Sequence, residues 1–251
     1  MFTSEHRSQV RHHILELAKA DPRITGVAFT GSMAFADGDK WSDIDIAFGI
    51  ANGISLEAVL YDWTHILDRE YVVLDRFDLH AGSSIYRVFL LQTGLEVDLA
   101  VTPEEDFGPR GLNFKSIFGT INKQELENTP QPAASFLIGM CWHHVLHARS
   151  SIERHKPWQA EYWISEIRDH TLALICLRFG ENANYARGVD RLPAVLTAPL
   201  SDALVRSLDE SELRRSLAVA TKCFVGELEK QNPNLCARLS PMLEEFGISQ
   251  A

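Results

Sequence analysis

The stretch from Phe29 to Ile46, Phe-Thr-Gly-Ser-Met-Ala-Phe-Ala-Asp-Gly-Asp-Lys-Trp-Ser-Asp-Ile-Asp-Ile, constrains this chain more than any other. A Gly-Ser turn closes one apolar run, and ten residues later Asp43 and Asp45 open a second. Alternate residues of a β-strand point to the same face, so Asp43 and Asp45 aim together while Ile44 and Ile46 aim at a core. Two neighbouring carboxylates repel unless a cation bridges them, and hard oxygen donors suit Mg2+. Gly31 admits a close backbone approach to an anion, and Ser32 adds a hydroxyl and an N–H at an expected helix start, an arrangement that receives phosphate. The expected site is a phosphate cradle facing a carboxylate pair; the plain alternative is an acidic loop between two core strands.

Around this stretch the periodicity predicts a helix over residues 4–20 with Val10, Ile14, Leu17 and Ala18 on one face, capped by Thr3 or Ser4. Asp21-Pro22 stops it, and strands are expected over 24–30, 43–50 and 71–79, the last two joined by a helix capped by Ser55. Residues 85–92 and 95–101 read as a hairpin across Thr93-Gly94. In its second arm Leu95, Val97, Leu99 and Val101 alternate with Glu96, Asp98 and Ala100, which puts Glu96 and Asp98 on one face. A Pro-, Gly- and Asn-rich segment from Thr102 to about Pro132 reads as a connection. Beyond it helices are expected over 133–154, 158–179, 200–208, 211–231 and 234–246, with Gly180 as a C-cap.

The spacing of Gly31-Ser32, ten residues, then Asp43-x-Asp45 and an apolar residue resembles the signature of the DNA polymerase β-like nucleotidyltransferase superfamily. The order of a mixed domain followed by helices resembles the small-molecule nucleotidyltransferases that modify aminoglycosides and lincosamides. The resemblance implies an α+β fold: a mixed β-sheet nucleotidyltransferase domain flanked by helices (1–125), then a C-terminal helical bundle that binds the acceptor (126–251). It also implies a third carboxylate on a later strand, a position that Asp98 matches better than Glu96, although the pattern leaves both open.

The implied activity is transfer of a nucleoside monophosphate, AMP from ATP for preference, to a hydroxyl of a small molecule such as an aminoglycoside- or lincosamide-like antibiotic, with release of pyrophosphate. Asp43 and Asp45 would hold one Mg2+ on the triphosphate and share a second with Asp98, about 3.5 to 4 Å away. Gly31 and Ser32 would receive phosphate, and the acceptor's proton would pass to Asp98 or to a carboxylate such as Glu166. Met33, Ala34, Phe35 and Ala36 stand where many members of the superfamily carry basic residues, so Lys40, Arg187 or Arg191 is expected to supply the missing charge. That departure motivates one alternative, a nucleotide-binding regulatory module without turnover; a separate one is nucleotidyl transfer to a protein or RNA.

Composition weighs on the partner. Acidic residues exceed basic ones by 19 to 11 over residues 1–125 and by 15 to 13 afterwards, giving a net charge of −10. Such a balance repels a polyanion and attracts a small cationic acceptor. The four cysteines show no Cys-x-x-Cys spacing and read as buried thiols. With neither a signal-peptide core nor an 18-residue apolar run, the expectation is a cytoplasmic protein without a membrane partner.

Two further groups stand out. His143 and His147 have the i, i+4 spacing of zinc proteases, but His-His-Val-Leu-His lacks the Glu that follows the first histidine there, so packed or surface histidines are expected. Trp158, Tyr162 and Trp163 crowd one helix with Glu161, Glu166, Arg168 and Asp169, which suits either a polar, cationic acceptor or a core with a charged outer face. The expectation drawn from them is an acceptor site in the cleft between the domains, walled by Tyr162, Glu166 and Asp169.

Overall fold

The structure, a computed structural model, describes residues 2–31, 41–110, 113–122 and 130–247. The Thr3 hydroxyl accepts the His6 N–H (3.1 Å) and so starts α1 (Ser4–Ala20), whose Val10, Ile14 and Ala18 are buried. Asp21 then stops the helix. Its carboxylate accepts from the Arg23 backbone N–H (3.0 Å), the Arg23 guanidinium (2.8 and 2.9 Å) and the Trp63 indole (3.2 Å). That single side chain ties the turn into β1 (Ile24–Thr30) to α2 (Leu56–Tyr71), which Ser55 caps.

The remaining strands are β2 (Ile44–Ile50), β3 (Val73–Ala81), β4 (Ser84–Leu91), β5 (Glu96–Pro103) and β6 (Phe114–Gly119). They form one six-stranded sheet in the order β3-β4-β5-β2-β1-β6. β2 and β5 run parallel, and every other neighbouring pair is antiparallel. A mixed sheet follows because β2 reaches its parallel partner β5 only through α2 and the β3–β4 hairpin, whereas β3–β4 and β4–β5 meet through short reversals.

The two faces of the sheet differ. Ile44, Ile46 and Phe48 of β2 and Val97, Leu99 and Val101 of β5 pack with Val10 and Ile14 of α1 and Leu60, Trp63 and Leu67 of α2. The opposite face has a floor of small residues, Ala28, Ala47 and Ala100, covered by Phe107. Gly26 and Gly49 are required there, since a Cβ on either would come within 2.6 and 2.9 Å of the Phe107 ring.

Contacts divide the chain into two units, Met1–Thr129 and Pro130–Ala251. The second consists of α3 (Ala134–Glu153), α4 (Pro157–Phe179), α5 (Ala194–Ser201), α6 (Glu210–Gln231) and α7 (Pro233–Gly247). Leu137, Cys141, Ile164, Ile167, Leu217 and Phe224 are among the side chains of its core. Cys141, Cys176 and Cys236 are buried free thiols, and Cys223 is half-buried. No helix among the described residues is long and apolar enough to cross a membrane.

Two expectations need correction. Residues 114–119 form an edge strand on β1 inside the segment read as a connection; the strand is short, only half covered, and has no apolar alternation to betray it. The helix expected over 200–208 lies instead at Ala194–Ser201, entered from Pro193 and containing Pro199. A helix that contains Pro199 forgoes a backbone hydrogen bond, so its sequence does not mark it as one.

Candidate active site

The alternation along β2 and β5 decides where the acids go. Ile44 and Ile46 face the helices, so Asp45 faces the other way, and the parallel register sets it directly beside Asp98. Asp43 immediately precedes β2, in a segment fastened from α1: the buried Arg7 donates through Nη1 to the Ser42 carbonyl at 3.0 Å. Carboxylate oxygens of Asp43, Glu96 and Asp98 lie within 4.8 Å of one another.

Four carboxylates therefore crowd one end of the small-residue face. Burial, then the charges of Asp43 and Asp98, push the Asp45 carboxyl up to about 7. Burial, then Glu96 and Asp43, push Asp98 up to about 6. Asp98 Oδ1 is buried with no hydrogen-bond partner among the described residues. An orphaned buried acceptor costs about 1–3 kcal/mol, and the like charges add to that.

Gly31 completes this corner. Its φ of +61° favours glycine, and a Cβ there would fall 2.0 Å from Asp45 Oδ2. The backbone after β1 thus lies against the Asp45 carboxylate, a contact that no side-chain-bearing residue could make. Hard oxygen donors, an unpartnered buried oxygen and close backbone approach together fit a divalent cation of the Mg2+ kind.

On the same face, next along the strands from Asp45 and Asp98, Ala47 and Ala100 floor a cavity of about 200 Å3. Tyr86, Phe107 and Phe114 give it aromatic walls. Arg110 brings a guanidinium to its lining, with Nη1 donating to the Ala81 carbonyl at 2.6 Å.

Asp43, Asp45, Asp98 and Gly31 are thus brought together, and Glu96 joins them. Ser32 and Lys40 lie outside the described residues. Arg187 belongs to the helical unit, where its guanidinium sits 5.5 Å from the centre of the exposed Tyr185 ring, while Arg191 pairs with Glu181 at 2.6 Å. Glu166, Asp169 and His170 line a cavity of about 520 Å3 in that unit, together with Phe136 and Tyr185. Tyr162 is exposed, packs edge-on against Trp163 and takes no part in that lining.

Arg7 and Arg110 are the residues that the sequence pattern does not mark, whereas Glu96, left open there against Asp98, stands beside it in the cluster. Arg7 sits among the charges of an amphipathic helix and Arg110 in a Gly-Pro-rich segment, with no spacing to mark either one.

No family model matches this chain, and no curated protein does. Among solved structures, it is similar to an aminoglycoside 6-adenyltransferase from Bacillus subtilis, at 13% identity and a TM-score of 0.37 over 99% of this chain and all of the other. A nucleotidyltransferase-like protein from Exiguobacterium sibiricum is similar at 14% identity and a TM-score of 0.41, over 93% of this chain and 79% of the other. Identities and scores are both low, and the chemistry below rests on the carboxylates themselves.

Proposed function

We propose that the protein is a metal-dependent nucleotidyltransferase that moves a nucleoside monophosphate, AMP from ATP for preference, onto a hydroxyl of a small, cationic acceptor. The observation that carries this reading is the meeting of Asp45 and Asp98 across β2 and β5, with Asp43 and Glu96 beside them and a buried Asp98 oxygen left without a partner. Bound Mg2+ would offset the charge of the carboxylates and of the phosphate oxygens together, the condition for an anionic nucleotide to approach an anionic site.

The chain's own groups have separate tasks. Asp43, Asp45 and Asp98 bind and orient. Gly31 keeps the backbone low enough to leave room beside Asp45, and the sequence gives Ser32 the adjoining phosphate contact. A proton must leave the acceptor's hydroxyl, and either Asp98 or Glu166 accepts it. The acidic surface draws in a cationic acceptor of the aminoglycoside or lincosamide type, and Glu166 and Asp169, with the aromatic Phe136 and Tyr185, offer such a molecule carboxylates and rings.

The test is release of pyrophosphate from ATP and Mg2+ in the presence of a panel of aminoglycoside- and lincosamide-like acceptors, with Asp43→Asn as the blank. Turnover with one acceptor, lost in the blank, is expected. Glu166→Gln should then weaken acceptor use while leaving Mg-ATP binding nearly intact. Nucleotide binding without turnover on any acceptor would reduce the protein to a regulatory module, and label appearing on a protein or RNA would move the acceptor class.

A further inference from the structure

A second polar cluster lies in the helical unit and has different chemistry. Glu166 and His170 are one turn apart on α4, and His144 comes from α3. One donor atom from each lies within 4.8 Å of the others. We propose that His144, Glu166 and His170 form a zinc site that links α3 to α4, separate from the carboxylate site on the sheet.

Three features of the cluster support it. His144 is only 2% exposed, yet its Nδ1 is buried without a hydrogen-bond partner among the described residues. Its ring is held 4.9 Å from the Trp163 ring and 5.4 Å from that of His170. A buried imidazole fixed in place with an unused nitrogen lacks a ligand.

His170 supplies the second feature. Its Nδ1 lies 2.6 Å from the Glu166 carbonyl, which can only accept, and 3.6 Å from the Glu166 carboxylate, so Nδ1 carries the proton, and a ring turn that brings Nε2 and its lone pair toward His144 is part of the adjustment the site requires. Zinc-binding histidines are commonly oriented in this way, by donating the other ring N–H to a backbone carbonyl or a carboxylate.

The third feature is the donor set. Two imidazoles and one carboxylate suit Zn2+, whereas Mg2+ prefers oxygen alone. Zinc bonds of about 2.0–2.1 Å in a tetrahedral site set ligand atoms about 3.3 Å apart, so side-chain adjustments on the order of 1 Å would close this group. Three protein ligands leave a fourth position for water, and Glu166 and His170 already line the cavity of about 520 Å3 into which that position would open. Glu166 bound in this way could not also serve as a free general base, which would leave that task to Asp98.

The test uses the full chain stripped of metal with EDTA and titrated with ZnCl2 against a chromophoric chelator, in excess Mg2+ so that the carboxylate site does not compete. One equivalent of zinc per chain is expected, and Co2+ in its place should give the intense visible bands of a four-coordinate site. His144→Gln and His170→Gln should each weaken zinc binding by at least about tenfold, the lower end of what outer partners alone contribute. Asp98→Asn and His147→Gln should leave it unchanged, because the exposed His143–His147 pair is the rival binder. If His144→Gln does not fold, His170→Gln decides. Absence of stoichiometric zinc, zinc that survives His170→Gln, or zinc lost in His147→Gln would overturn the proposal.

Discussion

Two regions of this molecule take carboxylates wholly or partly out of water, and they treat them in opposite ways. In the helical unit Glu227 is 2% exposed and fully matched: Arg178 donates to it through Nε at 2.7 Å and Nη2 at 2.8 Å, and Gln231 adds a third bond at 2.9 Å. In the sheet unit Asp45 and Asp98 are surrounded by Asp43 and Glu96, and one oxygen has no partner among the described residues. A carboxylate that serves packing is supplied with its counter-charge by the fold. A carboxylate cluster left unmatched is stable only to the extent that the rest of the unit tolerates it, the condition that the proposed cation would relieve.

Removing one member from each region should separate the two kinds of burial. Asp98→Asn should lower turnover on the order of a thousandfold, about 4 kcal/mol of lost transition-state stabilisation, while thermal unfolding of the metal-free protein stays level or rises because a repulsion has gone. A variant as active as the parent would place the metal elsewhere. Arg178→Met should do the reverse. It leaves Glu227 buried without its paired guanidinium and should cost about 3 kcal/mol in denaturant unfolding, with little change in the kinetics of the molecules that remain folded.

Gly31→Ala probes the contact that shapes the unmatched cluster. A methyl group that would fall 2.0 Å from Asp45 Oδ2 must push the carboxylate or the backbone aside. A displacement on the order of 1 Å should cost about a hundredfold in turnover and much less in stability. Equal loss in both would mean that the glycine serves the fold alone.

The smallest effect is also the most diagnostic, because a third buried group titrates against the carboxylates. Asp45 rises from 3.8 to about 7, so the folded protein holds a proton that the unfolded chain releases, and stability falls as pH climbs from about 4 to about 7. Asp98 acts in the same direction up to about 6. His144 is pulled from 6.5 down to about 4, by burial and then by His170, His143 and His147. There the unfolded chain holds the extra proton, and stability rises as pH climbs from about 4 to about 6.5. In metal-free protein the two trends oppose each other within one window. Relative to the parent, calorimetry across that window should show the Asp45→Asn profile tilted toward higher stability at high pH and the His144→Gln profile tilted toward lower; parallel profiles for the two variants would contradict these assignments.

What the sequence disclosed follows from how local each feature is. Strand alternation placed Asp45 and Asp98 on a shared outward face, since Ile44, Ile46, Val97 and Leu99 could only point to a core. Glu96 remained ambiguous because its approach depends on Asp43, which lies just outside β2 and is positioned through Arg7, a contact across 35 residues. The histidines were the reverse case. Spacing within one helix singled out His143 and His147, both exposed, while His144 meets Glu166 and His170 only through the packing of α3 on α4. β6 went unread because an edge strand takes its identity from its partner β1 rather than from its own pattern.

The parallel register of β2 and β5 also sets the order in which this protein can become competent. Asp45 and Asp98 are neighbours in the sheet but 53 positions apart in the chain (98 − 45), with α2, β3 and β4 between them. A parallel pair cannot be closed by a local reversal, so its loop-closure entropy is met only after the intervening hairpins have formed. A nascent or refolding chain therefore has helices and β-hairpins before it brings Asp45 and Asp98 together. On the proposed function, partly folded forms would be spared the binding of Mg2+ and nucleotide, and ligand capture would report completion of the sheet.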